Sequence, residues 1–214
     1  MTKDIRTQNP RLFTAGMSRS LNPNFVAKYI MNRKVIFLNF FIATLALSTL
    51  TISSVLSQTK LTNQSKVYIN GIEAVRVGMT IAEASKAAGT KLIRESGYEA
   101  NPSCFYVKPQ GEPKDIGLMV TNKRISRVDV WNNKSITTLS GAKIGDTESR
   151  IKSLYPRQIQ VTPHKYVQAG HYLTFIPKDA SDKNYRVVFE TDGKKVTRFR
   201  SGKLPEVEYV EGCS

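Results

Sequence analysis

The sequence predicts an α+β fold: a tandem repeat in which each module is a short helix, or a helix pair, followed by an antiparallel β-meander, with a hydrophobic helix ahead of both modules. Internal recurrence is the first observation. Residues 76–80, RVGMT, recur as residues 143–147, KIGDT, and residues 124–128, RISRV, recur as residues 195–199, KVTRF. The offsets of 67 and 71 residues keep the motifs in order, as a duplicated module with a small insertion would. The second observation is that a helix start signal opens each copy and a strand pair closes it.

An uncharged apolar run of 22 residues lies near the N-terminus, at 35–56, directly after a basic dipeptide. That order is typical of a secretory signal peptide, and the run is also long enough to span a bilayer as a permanent anchor. Small residues favour cleavage after Ser57, so residues 1–57 are predicted to be an N-terminal extension with a signal peptide or membrane anchor. Met31 begins a segment with the proportions of a normal signal peptide and is an alternative translation start.

Residues 58–66 are predicted to be a polar tether and residues 67–135 the first α+β module. Thr80 can cap a helix because its hydroxyl accepts a backbone N–H, and Glu83 lies three residues on, where its carboxylate returns to the amide of the cap. Gly89 is the predicted end of that helix. The strands predicted in this module are residues 104–107, 117–120 and 125–131.

Residues 136–214 repeat the plan as the second module. Asp146 or Thr147 is predicted to cap its helix, and Pro156 to end it. A strand at 171–176 follows. Because helices this short are unstable alone in water, both modules need a sheet for their helices to cover.

The last two strands, residues 185–190 and 195–200, are predicted to form a hairpin. They flank an Asp-Gly pair at 192–193, the preferred centre of a tight turn. A two-residue loop would place Glu190 opposite Lys195, a favourable pair of opposite charges.

The chain has two cysteines, Cys104 and Cys213, both in the part expected outside the cytoplasm. An even pair in an oxidising compartment predicts a disulfide, which would close a loop of about 110 residues. Two free buried thiols are the alternative. Zinc is less favoured because a closed site needs four ligands, so the sequence predicts no metal and no cofactor.

The formal charge is +15, and the seven Lys or Arg and one Asp before Val35 leave about +9 on the remainder. In the cytoplasm such a balance would point to nucleic acid, but outside it an envelope protein or an anionic cell-surface polymer is the expected partner. The prediction is therefore a periplasmic or secreted protein that binds no nucleic acid, with an anchor in the inner membrane as the alternative. A solvated basic surface without a particular partner is the alternative.

The GMTxxEA stretch at residues 78–84 resembles the start of the small outer-membrane assembly lipoproteins of the SmpA/OmlA type. The doubled helix-then-meander arrangement is similar to the secreted β-lactamase inhibitory proteins. Residues 67–214 also resemble an uncharacterised bacterial envelope family that ends in Glu-Gly-Cys, as residues 211–213 do here. These resemblances imply a non-enzymatic binding role. The chain differs from the lipoproteins in having no cysteine beside its leader to carry a lipid.

The leading functional hypothesis is an exported, non-enzymatic envelope protein that binds a macromolecular partner through a sheet face. Aromatic and Arg side chains are enriched where binding energy concentrates, so we expect them to form the contact surface. The candidate binding residues are Tyr106, Trp131, Tyr172, Lys195, Arg198 and Arg200.

The alternative hypothesis is a hydrolase or transferase that acts on an anionic cell-wall polymer through His164 and His171. These histidines lie seven residues apart around a glycine loop, and a hairpin could turn them toward each other as a base or as two metal ligands. The chain has no Gly-x-Ser-x-Gly elbow, phosphate-binding loop or dinucleotide fingerprint. The sequence therefore predicts no catalytic residue, and the binding hypothesis leads.

Overall fold

The structure is a computed structural model that describes residues 60–96 and 102–213. This part of the chain is mostly β, with twelve strands in two sheets, two short α-helices and two 3₁₀ turns. The predicted N-terminal hydrophobic helix, with the rest of the 1–57 extension, lies outside the described residues. Within the described ranges, neither helix is long and apolar enough to cross a membrane.

The large sheet has eight strands in the order β4-β5-β6-β7-β12-β11-β10-β9, and every neighbouring pair is antiparallel. Strands β4 to β7 form one contiguous half and β9 to β12 the other, so the two halves meet where β7 pairs with β12. The strands are β4 (Leu92–Arg94), β5 (Cys104–Pro109), β6 (Ile116–Thr121), β7 (Arg124–Trp131), β9 (Ile159–Pro163), β10 (His171–Phe175), β11 (Tyr185–Thr191) and β12 (Val196–Lys203).

The small sheet has four short strands in the order β3-β2-β1-β8. Its β8 pairs with β1 in parallel, so it joins the start of the first predicted module to the start of the second. The strands are β1 (Lys66–Tyr68), β2 (Gly71–Ile72), β3 (Val75–Arg76) and β8 (Thr137–Thr138).

Both predicted helices are present, each with a threonine cap. Helix α1 (Ile81–Ala88) begins with the predicted capping box: the Thr80 hydroxyl accepts the amide of Glu83, and the Glu83 carboxylate accepts the amide of Thr80 at 2.8 Å. Helix α2 (Glu148–Leu154) is capped by Thr147, whose hydroxyl accepts the Arg150 amide at 3.2 Å.

One face of the large sheet packs against both helices and forms the main core. Large buried side chains from both halves of the sheet, such as Leu118, Phe189 and Phe199, share this core with Ile151 of α2. Burying side chains of this size stabilises a fold by about 1.5–3 kcal/mol each. Leu61 is also buried here, so the segment predicted to be a polar tether packs on the core from that residue onward.

The register of the last hairpin differs from the prediction. Glu190 lies opposite Arg198 rather than Lys195. The Asp192 carboxylate accepts the amides of Lys194 and Lys195, at 2.8 and 2.7 Å, and this closes a longer turn than two residues. A register shift after Glu190 accompanies that turn. The shift brings Arg198 into the candidate site described below.

The two halves use the same backbone hydrogen bonds where each helix start meets its last strand. In the first half, the Gly78 amide donates to the Ile125 carbonyl and the Ile125 amide to the Met79 carbonyl, both at 2.8 Å. In the second half, the amide of residue 145 donates to the carbonyl of residue 196 at 2.9 Å, and the amide of residue 196 donates to the carbonyl of residue 146 at 2.8 Å. These are the positions at which the sequence motifs recur.

Candidate binding face

The face of the large sheet that points away from α1 and α2, here called the outer face, is crossed by the C-terminal residues 204–213, here called the strap. Val207 of the strap is fully buried against Tyr172 and Val188. Cys213 at its end packs against Tyr106 and Met119. Part of the outer face is therefore buried, because the strap covers small hydrophobic clusters on it.

Arg127 on β7 holds the strap by its backbone. Its guanidinium makes two hydrogen bonds of 2.8 Å to the Asp129 carboxylate and donates to the carbonyls of Glu206 and Tyr209, at 2.9 and 2.7 Å. It also donates to the Tyr106 hydroxyl at 2.7 Å. Burial alone would lower the pKa of Arg127, but Asp129 and Tyr106 outweigh it and raise that pKa above its ordinary value. The guanidinium stays charged and uses its fork geometry fully.

Arg200 on β12 makes an equivalent contact with the strap, between the two carbonyls that Arg127 binds. Its Nε donates to the Val207 carbonyl at 2.6 Å, and its Nη1 pairs with the Glu190 carboxylate. The other Glu190 oxygen accepts Arg198 Nε at 2.8 Å and lies 3.4 Å from His164 Nε2. Because two guanidinium groups surround this buried carboxylate, its desolvation is offset by charge-assisted hydrogen bonds.

A disulfide joins Cys104 on β5 to Cys213 at the end of the strap, across 109 residues of sequence. The predicted pairing is confirmed. The strap is thus fixed covalently at its end and by arginine hydrogen bonds along its length.

Trp131 and Arg198 lie beside the strap and remain accessible. They are directly opposite each other in the β7–β12 pair, at the junction of the two sheet halves. Trp131 is half-buried and the Arg198 side chain is 51% exposed. A Cβ added to Gly117 would lie 2.3 Å from Trp131 Cη2 and 3.0 Å from Tyr106 Cδ1, so the glycine leaves the space in which both rings lie.

Shallow grooves flank this pair on the outer face. One, of about 400 Å³, runs past Trp131 between Ile93, Lys108 and Lys114. The other, of about 110 Å³, lies between Trp131, Arg198 and Gly212 of the strap. A partner that contacted Trp131 and Arg198 would find concave surface on both sides.

The six predicted binding residues divide into three groups. Tyr106, Tyr172 and Arg200 are buried beneath the strap, where they support it. Trp131 and Arg198 are accessible on the same face. Lys195 is exposed in the last hairpin turn, where its backbone pairs with Thr147.

The structure separates His164 and His171. His171 lies opposite Pro163 in the β9–β10 pair, so the side chain of the next residue, His164, points to the other face of the sheet. His164 stacks on Tyr172 at 4.5 Å between ring centroids, on the outer face. His171 Nδ1 lies 2.8 Å from the carboxylate of Glu148 on α2. The two histidines therefore cannot act on one substrate as a pair.

Sequence reasoning missed Arg127, which donates five hydrogen bonds to the strap and beneath it, and its carboxylate partner Asp129. A signal was present, because an arginine and an aspartate two residues apart in a strand project from the same face. Nothing in the local sequence shows that the C-terminal residues cover that face, since the contact joins positions 79 and 82 residues apart.

A separate apolar cleft of about 540 Å³ lies between the small sheet and the end of the large one. Tyr68, Tyr155, Phe175 and Leu139 line it, and Leu139 is 66% exposed. Burial raises the pKa of Tyr155, although hydrogen bonds with Thr138 and Ser140 oppose the shift. In the described ranges, no group of three or more His, Cys, Asp or Glu side chains could hold a metal ion.

No known protein family and no curated protein matches this chain. Among solved structures it is similar to the uncharacterized protein yfeY from Escherichia coli, with 16% sequence identity and a TM-score of 0.42. The match covers 64% of this chain and 99% of that one. A likeness at this level carries no argument about function.

Proposed function

We propose that this chain is an exported, non-enzymatic envelope protein that binds a macromolecular partner through the outer face of its large sheet. The observation that supports the proposal best is the pairing of Trp131 with Arg198 at the centre of that face. Tryptophan and arginine dominate binding hot spots, which lie near the centre of an interface. Here both are accessible and adjacent.

The surroundings of the pair favour binding because they are already fixed. Gly117 leaves space for the indole, Glu190 orients the Arg198 guanidinium, and the strap is held by a disulfide and by Arg127. Side chains that are ordered before association lose less conformational entropy on binding. A rigid surface of this kind suits recognition better than turnover.

The finer description of the fold, a tandem repeat, is part of the proposal. Its support is that equivalent hydrogen bonds join residues 78 and 79 to residue 125 and residues 145 and 146 to residue 196. Each helix is also followed by a four-stranded half of the large sheet. This plan favours the resemblance to SmpA/OmlA-type lipoproteins and β-lactamase inhibitory proteins, and superposing Gly78 on Gly145 tests it.

The disulfide supports export, because disulfides persist in the periplasm and outside the cell but are rare in the cytosol. The proposed location is the periplasm or the medium, with an inner-membrane anchor if the leader is retained. Mass spectrometry of the envelope fraction tests this. An N-terminus near Gln58 indicates cleavage, whereas an intact Met1 or Met31 indicates an anchored protein.

The partner class follows from charge. The chain beyond the leader carries about +9, so an acidic envelope protein or an anionic cell-surface polymer is the proposed partner. The alternative, a hydrolase or transferase that uses His164 and His171, loses support because the two side chains lie on opposite faces.

The test is affinity capture from envelope extracts with the wild type and matched variants. The double change Trp131→Ala and Arg198→Ala should abolish retention of a specific partner, while Leu139→Ala, an exposed apolar residue elsewhere, should not. The double change His164→Ala and His171→Ala addresses the alternative. Turnover of a cell-wall polymer that disappears in that variant would overturn the proposal.

A further inference from the structure

The two edge strands of the large sheet differ in whether other residues bind their outward-facing backbone groups. At one end, the Leu92 amide of edge strand β4 donates to the Ser85 hydroxyl of α1 at 3.1 Å, and the Arg94 guanidinium lies 4.1 Å above the Phe105 ring. At the other end, β9 is a longer edge strand of five residues, of which the last four are exposed. The β4 edge is therefore capped by the helix, whereas among residues 60–96 and 102–213 no strand pairs with the outer side of β9, here called the open edge.

The register of β9 shows which backbone groups face outward. The amide of His164 donates to the Gly170 carbonyl, and the amide of Ile176 to the Gln158 carbonyl, both at 2.9 Å. In an antiparallel pair, hydrogen-bonded positions alternate, so the even-numbered residues of β9 face β10. The amides of Ile159 and Val161 and the carbonyls of residues 159, 161 and 163 face the open edge.

Exposed apolar side chains concentrate around this edge. In the described part of the chain, six large hydrophobic side chains are exposed, and four of them lie between β9 and the residue after β10. They are Val161 at 42%, Tyr166 at 62%, Val167 at 39% and Ile176 at 37%. An open strand edge with apolar neighbours pairs readily with another strand.

The β9 segment is itself basic, although an acidic residue of the strap lies near it: Glu208 lines a groove with Gln160 and Thr162. Residues 149–178 contain five basic and no acidic residues. Lys152 and Lys165 have acidic partners, Glu148 at 3.8 Å and Glu211 at 2.7 Å. The remaining three, Arg150, Arg157 and Lys178, form no ion pair with any described residue.

We propose that the β9 edge binds an extended, acidic peptide segment of a partner protein as a ninth strand. Backbone hydrogen bonds to residues 159, 161 and 163 would supply the pairing, apolar side chains would cover Val161, and flanking carboxylates would meet Arg157. This site lies at the sheet edge and does not depend on the outer-face pair.

A second copy of the chain fits this edge less well. Antiparallel pairing of two β9 strands about Val161 would place Arg157 of one copy beside Lys165 of the other, which brings like charges together. The β9 edge therefore favours an acidic peptide strand over the β9 strand of a second copy.

The test measures binding of a synthetic peptide, Asp-Glu-Val-Thr-Val-Thr-Val-Glu-Asp, to the full chain by calorimetry. Hydrogen exchange at the Val161 amide should slow in the complex. A control peptide with lysines in place of the acidic residues, and one with proline at the central valine, should bind at least roughly ten-fold more weakly.

Two protein variants separate the contributions. Val161→Pro removes an amide that β10 does not use, so it should weaken peptide binding roughly ten-fold with the β9–β10 pair intact. Arg157→Glu should weaken binding of the acidic peptide and strengthen that of the lysine peptide, and it keeps the test decisive if the proline variant fails to fold.

Three outcomes would overturn the proposal. The first is equal affinity for the acidic and lysine peptides, and the second is unchanged hydrogen exchange at the Val161 amide. The third is a wild-type chain that binds no peptide and instead forms a dimer, which Val161→Pro dissociates. The variant with Trp131→Ala and Arg198→Ala should bind the peptide as the wild type does. Its retention of peptide binding separates this proposal from the function proposed for the outer face.

Discussion

Trp131 occupies the space that a side chain on Gly117 would fill. A Cβ at position 117 would meet two indole carbons, at 2.3 and 2.9 Å, so the two residues cannot both be large. The glycine lies on β6 and the tryptophan on β7, and the absence of a side chain on one strand fixes the position of the ring on the next.

We therefore expect Gly117→Ala to displace the indole and to destabilise the fold by about 1–3 kcal/mol through overpacking. Because Trp131 is the single tryptophan of the chain, its emission reports the displacement directly. Gly145→Ala is the control, since within the described part of the chain an added Cβ there meets no atom of a non-neighbouring residue within 4 Å and only backbone strain results. Equal emission spectra for wild type and Gly117→Ala would contradict the prediction.

Arg127→Met should destabilise the protein by about 3–5 kcal/mol, because it leaves the Asp129 carboxylate buried without its partner. It also leaves the carbonyls of Glu206 and Tyr209 without a donor. Urea unfolding gives the energy, and hydrogen exchange across the strap should accelerate. Arg198→Met, at a half-exposed position, should cost less than about 1 kcal/mol. Similar losses in the two variants would show that Arg127 does not anchor the strap.

Changing both Cys104 and Cys213 to serine should lower the free energy of unfolding by about 2–4 kcal/mol, since the bridge closes a long loop in the unfolded chain. Native structure should persist, because Arg127 and Arg200 still hold the strap. Reduction of the wild type is the matched comparison. Non-reducing peptide mapping should recover the linked pair, and two alkylatable thiols in the native exported protein would contradict the bridge.

Glu148 makes stability depend on pH in the acidic range. Burial alone would raise its pKa, but hydrogen bonds from Thr191 and His171 outweigh it and hold that pKa below the ordinary 4.5. A lowered carboxylate pKa stabilises the fold above the ordinary value, and this stability is lost as pH falls through the folded-state value.

Unfolding experiments between pH 7 and pH 3 check this contribution. Glu148→Gln should cost about 1 kcal/mol at pH 7 and make the decline toward low pH shallower. Thr191→Val removes one of the donors and should give an intermediate slope. A slope unchanged by both variants would mean that Glu148 does not contribute.

The elements that local chemistry encodes could be predicted from sequence. The capping box of Thr80 and Glu83, the cap at Thr147 and most strands lie where the residues indicate, because propensity and capping act within a few residues. The disulfide followed from counting two cysteines. The register of the last hairpin did not follow, since the Asp192 side chain bonds two amides and lengthens the turn.

The site was predicted only in part. Trp131 and Arg198 were chosen for their chemistry and do lie together, but the strap over Tyr106, Tyr172 and Arg200 could not be foreseen. That cover depends on Arg127 reaching carbonyls about eighty residues away, a contact that no periodicity records. The separation of His164 from His171 follows from the alternation of side chains along a strand, and it could be predicted once the pairing of β9 with β10 was known.

The central position of β12 has a consequence for the way the chain is made. A ribosome makes β12 after the other seven strands of the large sheet, yet β12 is the strand that joins the second half of the sheet to β7. Until residue 203 has emerged, β7 has no partner on the edge that faces away from β6, and β11 has no partner on the edge that faces away from β10. Contacts of such long sequence range make folding slow. A truncation of about fifteen residues at the C-terminus should therefore leave the entire domain unfolded, and a nascent chain stalled at that point should stay sensitive to protease along its full length.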